Sequence, residues 1–264
     1  MALKYEKLAD DLRKAIRSGQ LSAGSQLPTT PTLSEQYGVS LPTVRQALDV
    51  LRNEGLIDSQ QGRGVFVRPP RRKVRRSNTN NHFDKTRVHQ SNDERAATGA
   101  TERDTGLDVD DLVFEAKYTV VKATKELAIE FGIHTGAKLL QRDFRTRSKD
   151  EHTPFNLARS YLVYDMVSAN PALLDDSNEP WPGGTMHQLS TVGIEIERVI
   201  EEVTTRPPTP KEAEQLGIGP GVPVFVIHKT LIDTTGTVVD IADVTLPGDR
   251  TELEYETRLE RWSQ

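Results

Sequence analysis

Residues 38–67 read GVSLPTVRQALDVLRNEGLIDSQQGRGVFV, and the order of capping, apolar and glycine residues in this stretch decides the first half of the fold. Ser40 is a favoured N-cap, and Pro42 falls in a first helical turn, where a missing amide hydrogen costs nothing. Val44, Leu48 and Leu51 recur at helical spacing, so the sequence predicts a helix over Leu41–Asn53 that Gly55 closes. Leu56-Ile57 and Val65-Phe66-Val67 are short strand candidates joined across Gln60-Gln61-Gly62-Arg63-Gly64.

Upstream, Tyr5, Leu8, Leu12 and Ala15 form one helix face before a stop at Gly19, and a shorter helix around Thr32, Leu33, Gln36 and Tyr37 ends at Gly38. Three helices followed by a small hairpin describe a winged helix-turn-helix, expected over residues 1–68. In that motif the second helix of the pair enters the major groove with its N-terminal residues facing base edges. Val44 and Leu48 must face inward, which leaves Thr43, Arg45 and Gln46 free to reach DNA, with Arg45 suited to a bidentate guanine contact. The free amides behind Ser40 suit a phosphate. Thr29 and Thr30, opening the preceding helix, join this expected DNA-facing set, as do Ser40, Leu41, Gly62, Arg63 and Gly64. Two plainer readings stay open: Arg45 paired with Asp49 at i+4, and Gly62-Arg63-Gly64 as an ordinary hairpin turn.

At 264 residues the chain has room for two domains. It has no cysteine, which removes disulfides, thiolate metal sites and a cysteine nucleophile together. Its start has no apolar leader and no window is long enough to cross a bilayer, so a soluble cytoplasmic protein is expected. The net charge of −5 is uneven: residues 1–76 hold 14 Lys and Arg against 7 Asp and Glu, leaving the remainder at −12. A basic module joined to an acidic one suggests that only the first meets a polyanion. Residues 69–106 are polar, with a basic run from Arg68 to Arg76, and are expected to form a linker. Residues 107–264 alternate strands with short helices and are expected to form a second domain.

That second half repeats itself at an offset of 85 residues. TKELAIEFGIHTGAKLL from Thr124 aligns with TPKEAEQLGIGPGVPVF from Thr209, each copy reading as a capped helix, a Gly-Ile turn, a second glycine turn and a strand hairpin. Thr209-Pro210-Lys211-Glu212 is a capping box. The expected product is a pseudo-symmetric α+β domain with an antiparallel sheet and its helices on one side. Gly217-Ile218-Gly219-Pro220-Gly221 follows a helix and precedes a strand, the reverse of a nucleotide-phosphate loop, and reads as a turn. The six histidines lack metal-ligand spacing, and no enzyme constellation is present.

The stretch SQLPTTPTLSEQYGVSLPTVRQALDVLRNEGLI with QGRGVFV resembles the DNA-binding domain of the GntR family of bacterial transcription regulators over residues 4–67. That resemblance implies a dimer on a palindromic operator, the third helix in the major groove and the wing tip in the minor groove. Arg45 and Gly62 match the family's contact pattern, whereas Pro31 and Leu41 stand where the family often has Arg. Residues 100–250 resemble the effector (UTRA) domain of the HutC subfamily, similar in fold to chorismate lyase. This second resemblance implies a cleft for a small anionic effector held by an Arg-x-Arg pair, here Arg145 and Arg147, with Ser160, Tyr161 and Asp240 as further cleft positions. Asp240 stands where a Glu is usual. The repeat adds an internal contrast, because the positions matching Arg145 and Arg147 are Thr230 and Ile232. Two solvent-facing arginines remain the plainer reading of that pair. The expected function is a homodimeric repressor released from DNA by a small anionic effector. A purely dimerising second domain and a chorismate-lyase-like enzyme are the alternatives, and no cofactor or metal is expected.

Overall fold

A computed structural model describes residues 3–60 and 62–259; Met1, Ala2 and the last five residues of the expected second domain lie outside the described residues. The chain divides into two compact units. One runs to Arg72 and takes in Pro207–Pro223; the other comprises Lys73–Arg206 and the chain from Val224.

The first unit opens with α1 (Lys4–Arg17), α2 (Thr30–Tyr37) and α3 (Leu41–Asn53). Thr29 and Ser40 cap α2 and α3, each accepting from the amide three residues on, and each helix has a proline in its first turn. Gly38 adopts the left-handed conformation that ends α2. Leu8 and Leu12 of α1 pack with Val44, Leu48 and Leu51 of α3, Leu33 of α2, and Leu27. Strands β1 (Ile57–Gln60) and β2 (Gly64–Val67) pair antiparallel from Ile57–Val67 to Gln60–Gly64, and their apolar ends close the same core. This is a winged helix-turn-helix.

In the second unit, β3 (Val74–Ser77) leads into α4 (Thr79–Arg87), α5 (Asn92–Ala97) and α6 (Ala100–Thr105). The segment expected as a linker is therefore mostly helical. Next come β4 (Leu112–Lys122), α7 (Lys125–Phe131), β5 (Lys138–Ser148), β6 (Asn156–Val163), α8 (Tyr164–Val167) and α9 (Gly184–Ser190). Then follow β7 (Ile196–Arg206), α10 (Pro210–Leu216, in the first unit), β8 (Val224–Asp233), β9 (Val238–Pro247) and β10 (Thr251–Glu254). β10 pairs in parallel with β3.

The large sheet has the order β4-β5-β6-β9-β8-β7, with every neighbour antiparallel. Its order shows what the sequence repeat builds: β4-β5-β6 and β7-β8-β9 are two halves that meet at β6 and β9. The expectation that helices lie on one side is not met. Leu140 of β5 packs with residues of α8 and α9 (Val167, Met186, Leu189), while its neighbour Leu139 packs with Ala128 and Phe131 of α7. Successive strand residues point to opposite faces, so helices cover both.

Candidate functional site

On the winged-helix unit, the start of α3 presents Ser40, Leu41, Arg45 and Gln46 to solvent. Ser40 Oγ and Thr43 Oγ1 share a hydrogen bond at 2.8 Å, which fixes the cap. Leu41 is 41% exposed. Asp49, the alternative partner for Arg45, is instead bound by Arg52, and among the described residues Arg45 has no ion pair. An unpaired guanidinium on an exposed helix face is available to a polyanion. In the wing, Gly62 (φ 73°) and Gly64 (φ 120°) take backbone conformations that favour glycine, and Gln26 donates to the Arg63 carbonyl at 2.8 Å. The Arg63 guanidinium lies 5.7 Å from the centre of the Phe66 ring. Thr29 is taken up by capping α2, while Thr30 opens that helix and is half-buried.

The basic run after the wing is used internally. Arg68 donates to the Gly217 carbonyl and Arg71 to that of Leu216 at 3.0 Å. Lys73 reaches the Asp249 carbonyl at 3.3 Å, while Arg75 and Arg76 pair with Glu252 and Glu201 at 3.4 and 3.0 Å.

On the sheet, the expected cleft residues divide between the two faces. β5 pairs Arg142 with Ser160 and Arg145 with Leu157. Arg142 and Ser160 therefore share one face, while Arg145, Arg147 and Tyr161 belong to the other. Arg145 is exposed; Arg147 donates to the carbonyls of Ser148 and Glu151, both at 3.2 Å. Tyr161 packs beside Leu139 and Ile241.

On the face shared with Ser160, Arg142 is buried, 1% exposed. Its Nε donates to Ser160 Oγ at 2.9 Å, one Nη to Gln188 Oε1 at 2.8 Å, and the other to Asp240 Oδ1 at 3.0 Å and Thr185 Oγ1 at 3.4 Å. Gln188 donates in turn to Glu179, which accepts from the Tyr118 hydroxyl. Lys229 donates to Asn81 at 2.8 Å and lies 3.8 Å from Glu201. Burial pushes the Asp240 carboxyl up although Arg142 and Lys229 pull it back, and burial pushes the Lys229 ammonium down. Desolvation pushes the half-buried Asp104 carboxyl up to about 6, against the pull of Arg76 and of the Asn80 amide that donates to it at 2.6 Å. A polar chain thus crosses the sheet from β5 to β7 beneath α4 and α9. Ser160 and Asp240 belong to it as expected cleft positions. Arg142, Gln188, Lys229 and Tyr118 escaped the sequence reading, although Arg142 is in phase with buried Leu140, and its repeat partner Ile227 is apolar.

Residues 4–67 match the family described as bacterial regulatory proteins, gntR family, and residues 115–252 match the UTRA domain. The chain belongs to the GntR-family regulators that carry a UTRA domain. It is 28% identical to an uncharacterised HTH-type transcriptional regulator of Streptomyces coelicolor over 98% of this chain and 94% of that protein. It is likewise 28% identical to the HTH-type transcriptional repressor NagR of Bacillus subtilis, over 97% and 95%. PhnF from Mycobacterium smegmatis shares the fold, with a TM-score of 0.54 at 19% identity over 96% of this chain and all of that one. The UTRA match begins in β4 and ends in β10, so it spans both repeat copies and the Arg142 cluster. Among the described residues no helix is long and apolar enough to cross a membrane.

Proposed function

We propose that the chain is a cytoplasmic, homodimeric repressor of the HutC type, which binds a palindromic operator through Thr43, Arg45, Gln46 and the wing and leaves it when a small anionic effector binds the UTRA domain. It does no catalysis. The observation that carries this reading is Arg45, exposed and, among the described residues, without an ion pair, on a capped helix whose opposite side is buried. Base contacts from such a helix specify sequence, while phosphate contacts set affinity and salt dependence.

The effector site is best placed at Arg142, Ser160, Gln188 and Asp240. An anionic effector would take the guanidinium from Asp240, a planar donor fork suited to carboxylate or phosphate. Arg145 and Arg147, on the opposite face, contribute nothing to that step. The second reading, a UTRA domain that only dimerises, draws on the four internal partners Arg142 already has.

The test is a gel shift on the DNA immediately upstream of the chain's own coding region, with a panel of sugar phosphates and small carboxylates. Wild type should bind and at least one compound should release it; Arg45→Ala should weaken binding by about 1–3 kcal/mol. Release should persist in Arg145→Ala/Arg147→Ala. Equal binding by Arg45→Ala sinks the DNA reading, and a panel that shifts neither binding nor melting favours the dimerising domain.

A further inference from the structure

The two repeat copies place their helices differently. In the first, α7 buries Ala128 and Phe131 against Leu139 and Ile241 of the sheet. In the second, Pro207–Pro223 leaves the sheet after β7, returns at β8, and belongs to the compact unit of the winged helix-turn-helix.

Two glycines show how closely this excursion meets α3. A Cβ on Gly219 would lie 2.9 Å from the Arg52 carbonyl oxygen. On Gly221 it would lie 2.5 Å from Asn53 Cβ and 2.8 Å from the Asn53 carbonyl oxygen. Arg52 and Asn53 are the last two residues of α3. Neither glycine is in the left-handed region, so what each supplies is room for backbone to approach backbone. The first copy has His134 where the second has Gly219, and its helix stays on the sheet.

Arginine provides the second grip. The last carbonyls of a helix have no partner within it and carry the negative end of its dipole. At α10 those of Leu216 and Gly217 accept from Arg71 and Arg68. Both arginines come from the basic run that sequence reasoning would give to DNA phosphates.

We propose that Pro207–Pro223 is a latch by which the UTRA domain holds the end of the recognition helix, and that Arg68 and Arg71 are shared between this latch and DNA phosphate. Its two ends are register neighbours, Arg206 opposite Val224. The same strands carry Glu201 and Lys229, opposite each other and joined to the polar chain that includes Asp240. A change at that cluster therefore has a covalent route to the latch. The latch transmits a signal only in so far as it grips the head differently in the two states. The phosphate-sharing half of the proposal rests on the DNA-binding reading; the docking half does not.

Hydrogen exchange on the full chain tests the docking. Gly221→Val removes the room, and Arg68→Ala/Arg71→Ala removes the caps without adding bulk, so the second variant decides if the first fails to fold. Amides at Glu54–Leu56 and Leu216–Val222 should exchange about tenfold faster in either variant, with α7, β5 and β6 unchanged. Wild-type exchange at both segments in the double-alanine variant overturns the latch. Salt-dependent binding to a short non-specific duplex tests the sharing. Freeing two arginines should steepen the log–log slope of Gly221→Val by about 1–2. Faster exchange with an unchanged slope overturns the sharing and keeps the docking. A wild-type chain that binds no duplex overturns the DNA reading, and exchange alone then decides the latch.

Discussion

The halves β4-α7-β5-β6 and β7-α10-β8-β9 follow one pattern, yet the first buries an arginine where the second buries an isoleucine, and the second holds the contact with α3. Arg142 in the first half matches Ile227 in the second, and both are almost completely buried. Ile227 sits among Val244, Leu246 and Phe225, while Arg142 sits among hydroxyls, an amide and a carboxylate. One backbone position thus supports either an apolar core or a polar site. What decides is the layer above it: α9 supplies Thr185 and Gln188 over Arg142, and the second half has no counterpart to α9.

The largest effect should come from forcing the two positions alike. Arg142→Met leaves Asp240 buried without its partner and should cost about 3–5 kcal/mol in urea unfolding of the full chain. Arg142→Met/Asp240→Leu, which replaces the ion pair between the two halves with apolar side chains, should recover most of that loss. Ile227→Val should cost only about 0.5–1.5 kcal/mol. A double variant no more stable than Arg142→Met would show that hydroxyls and amides, rather than the Asp240 charge, set the cost.

A smaller difference is expected at the helix starts. Thr124 and Thr209 both cap, but only Thr209 has a reciprocal partner, with Glu212 accepting from its amide at 2.8 Å. Losing a cap costs about 1 kcal/mol. Thr209→Ala should therefore open its helix more than Thr124→Ala does, read as amide exchange in α10 and α7. Equal effects would mean that the arginines at the far end of α10 hold it regardless of its start.

The winged helix was legible in the sequence because each of its helices carries its own cap, stop and apolar stripe. The repeat was legible because its glycines and caps recur at one offset. Period-2 alternation assigned residues to faces, but nothing in it says which segment covers a face, so α4 and α9 over the Arg142 face went unseen. Residues 79–105 read as a linker because they have few large apolar side chains. Their helices are tied down by polar contacts that an apolar count cannot register, such as Lys85 with Glu195 at 2.7 Å, Asn80 with Asp104 at 2.6 Å, and Lys229 with Asn81. In KLLQRDFRTRS the conspicuous Arg-x-Arg pair has the opposite parity to Arg142, which shares its phase with Leu140 and Phe144.

The smallest contrast lies on the other face of the sheet. In the first half, Asp143 and Arg159 stand opposite across β5 and β6 and pair at 2.6 Å. The matching pair across β8 and β9 is His228 and Asp243, at 2.8 Å, with Glu130 3.3 Å from the other imidazole nitrogen. The first pair joins a guanidinium to a carboxylate, while the second depends on a proton on the imidazole. Burial lowers the His228 pKa, but Asp243 and Glu130 outweigh it and hold it above the ordinary 6.5. A raised folded-state pKa means that its stabilising contribution is complete below 6.5 and is lost as pH rises through the folded value. Both pairs are partly exposed, so each should contribute well under about 1 kcal/mol. The imidazole resonance of His228 should titrate above that of free histidine and move down in Asp243→Asn, with no such pH dependence introduced by Asp143→Asn. A His228 titration unmoved by Asp243→Asn would leave Glu130 as the group that holds the proton.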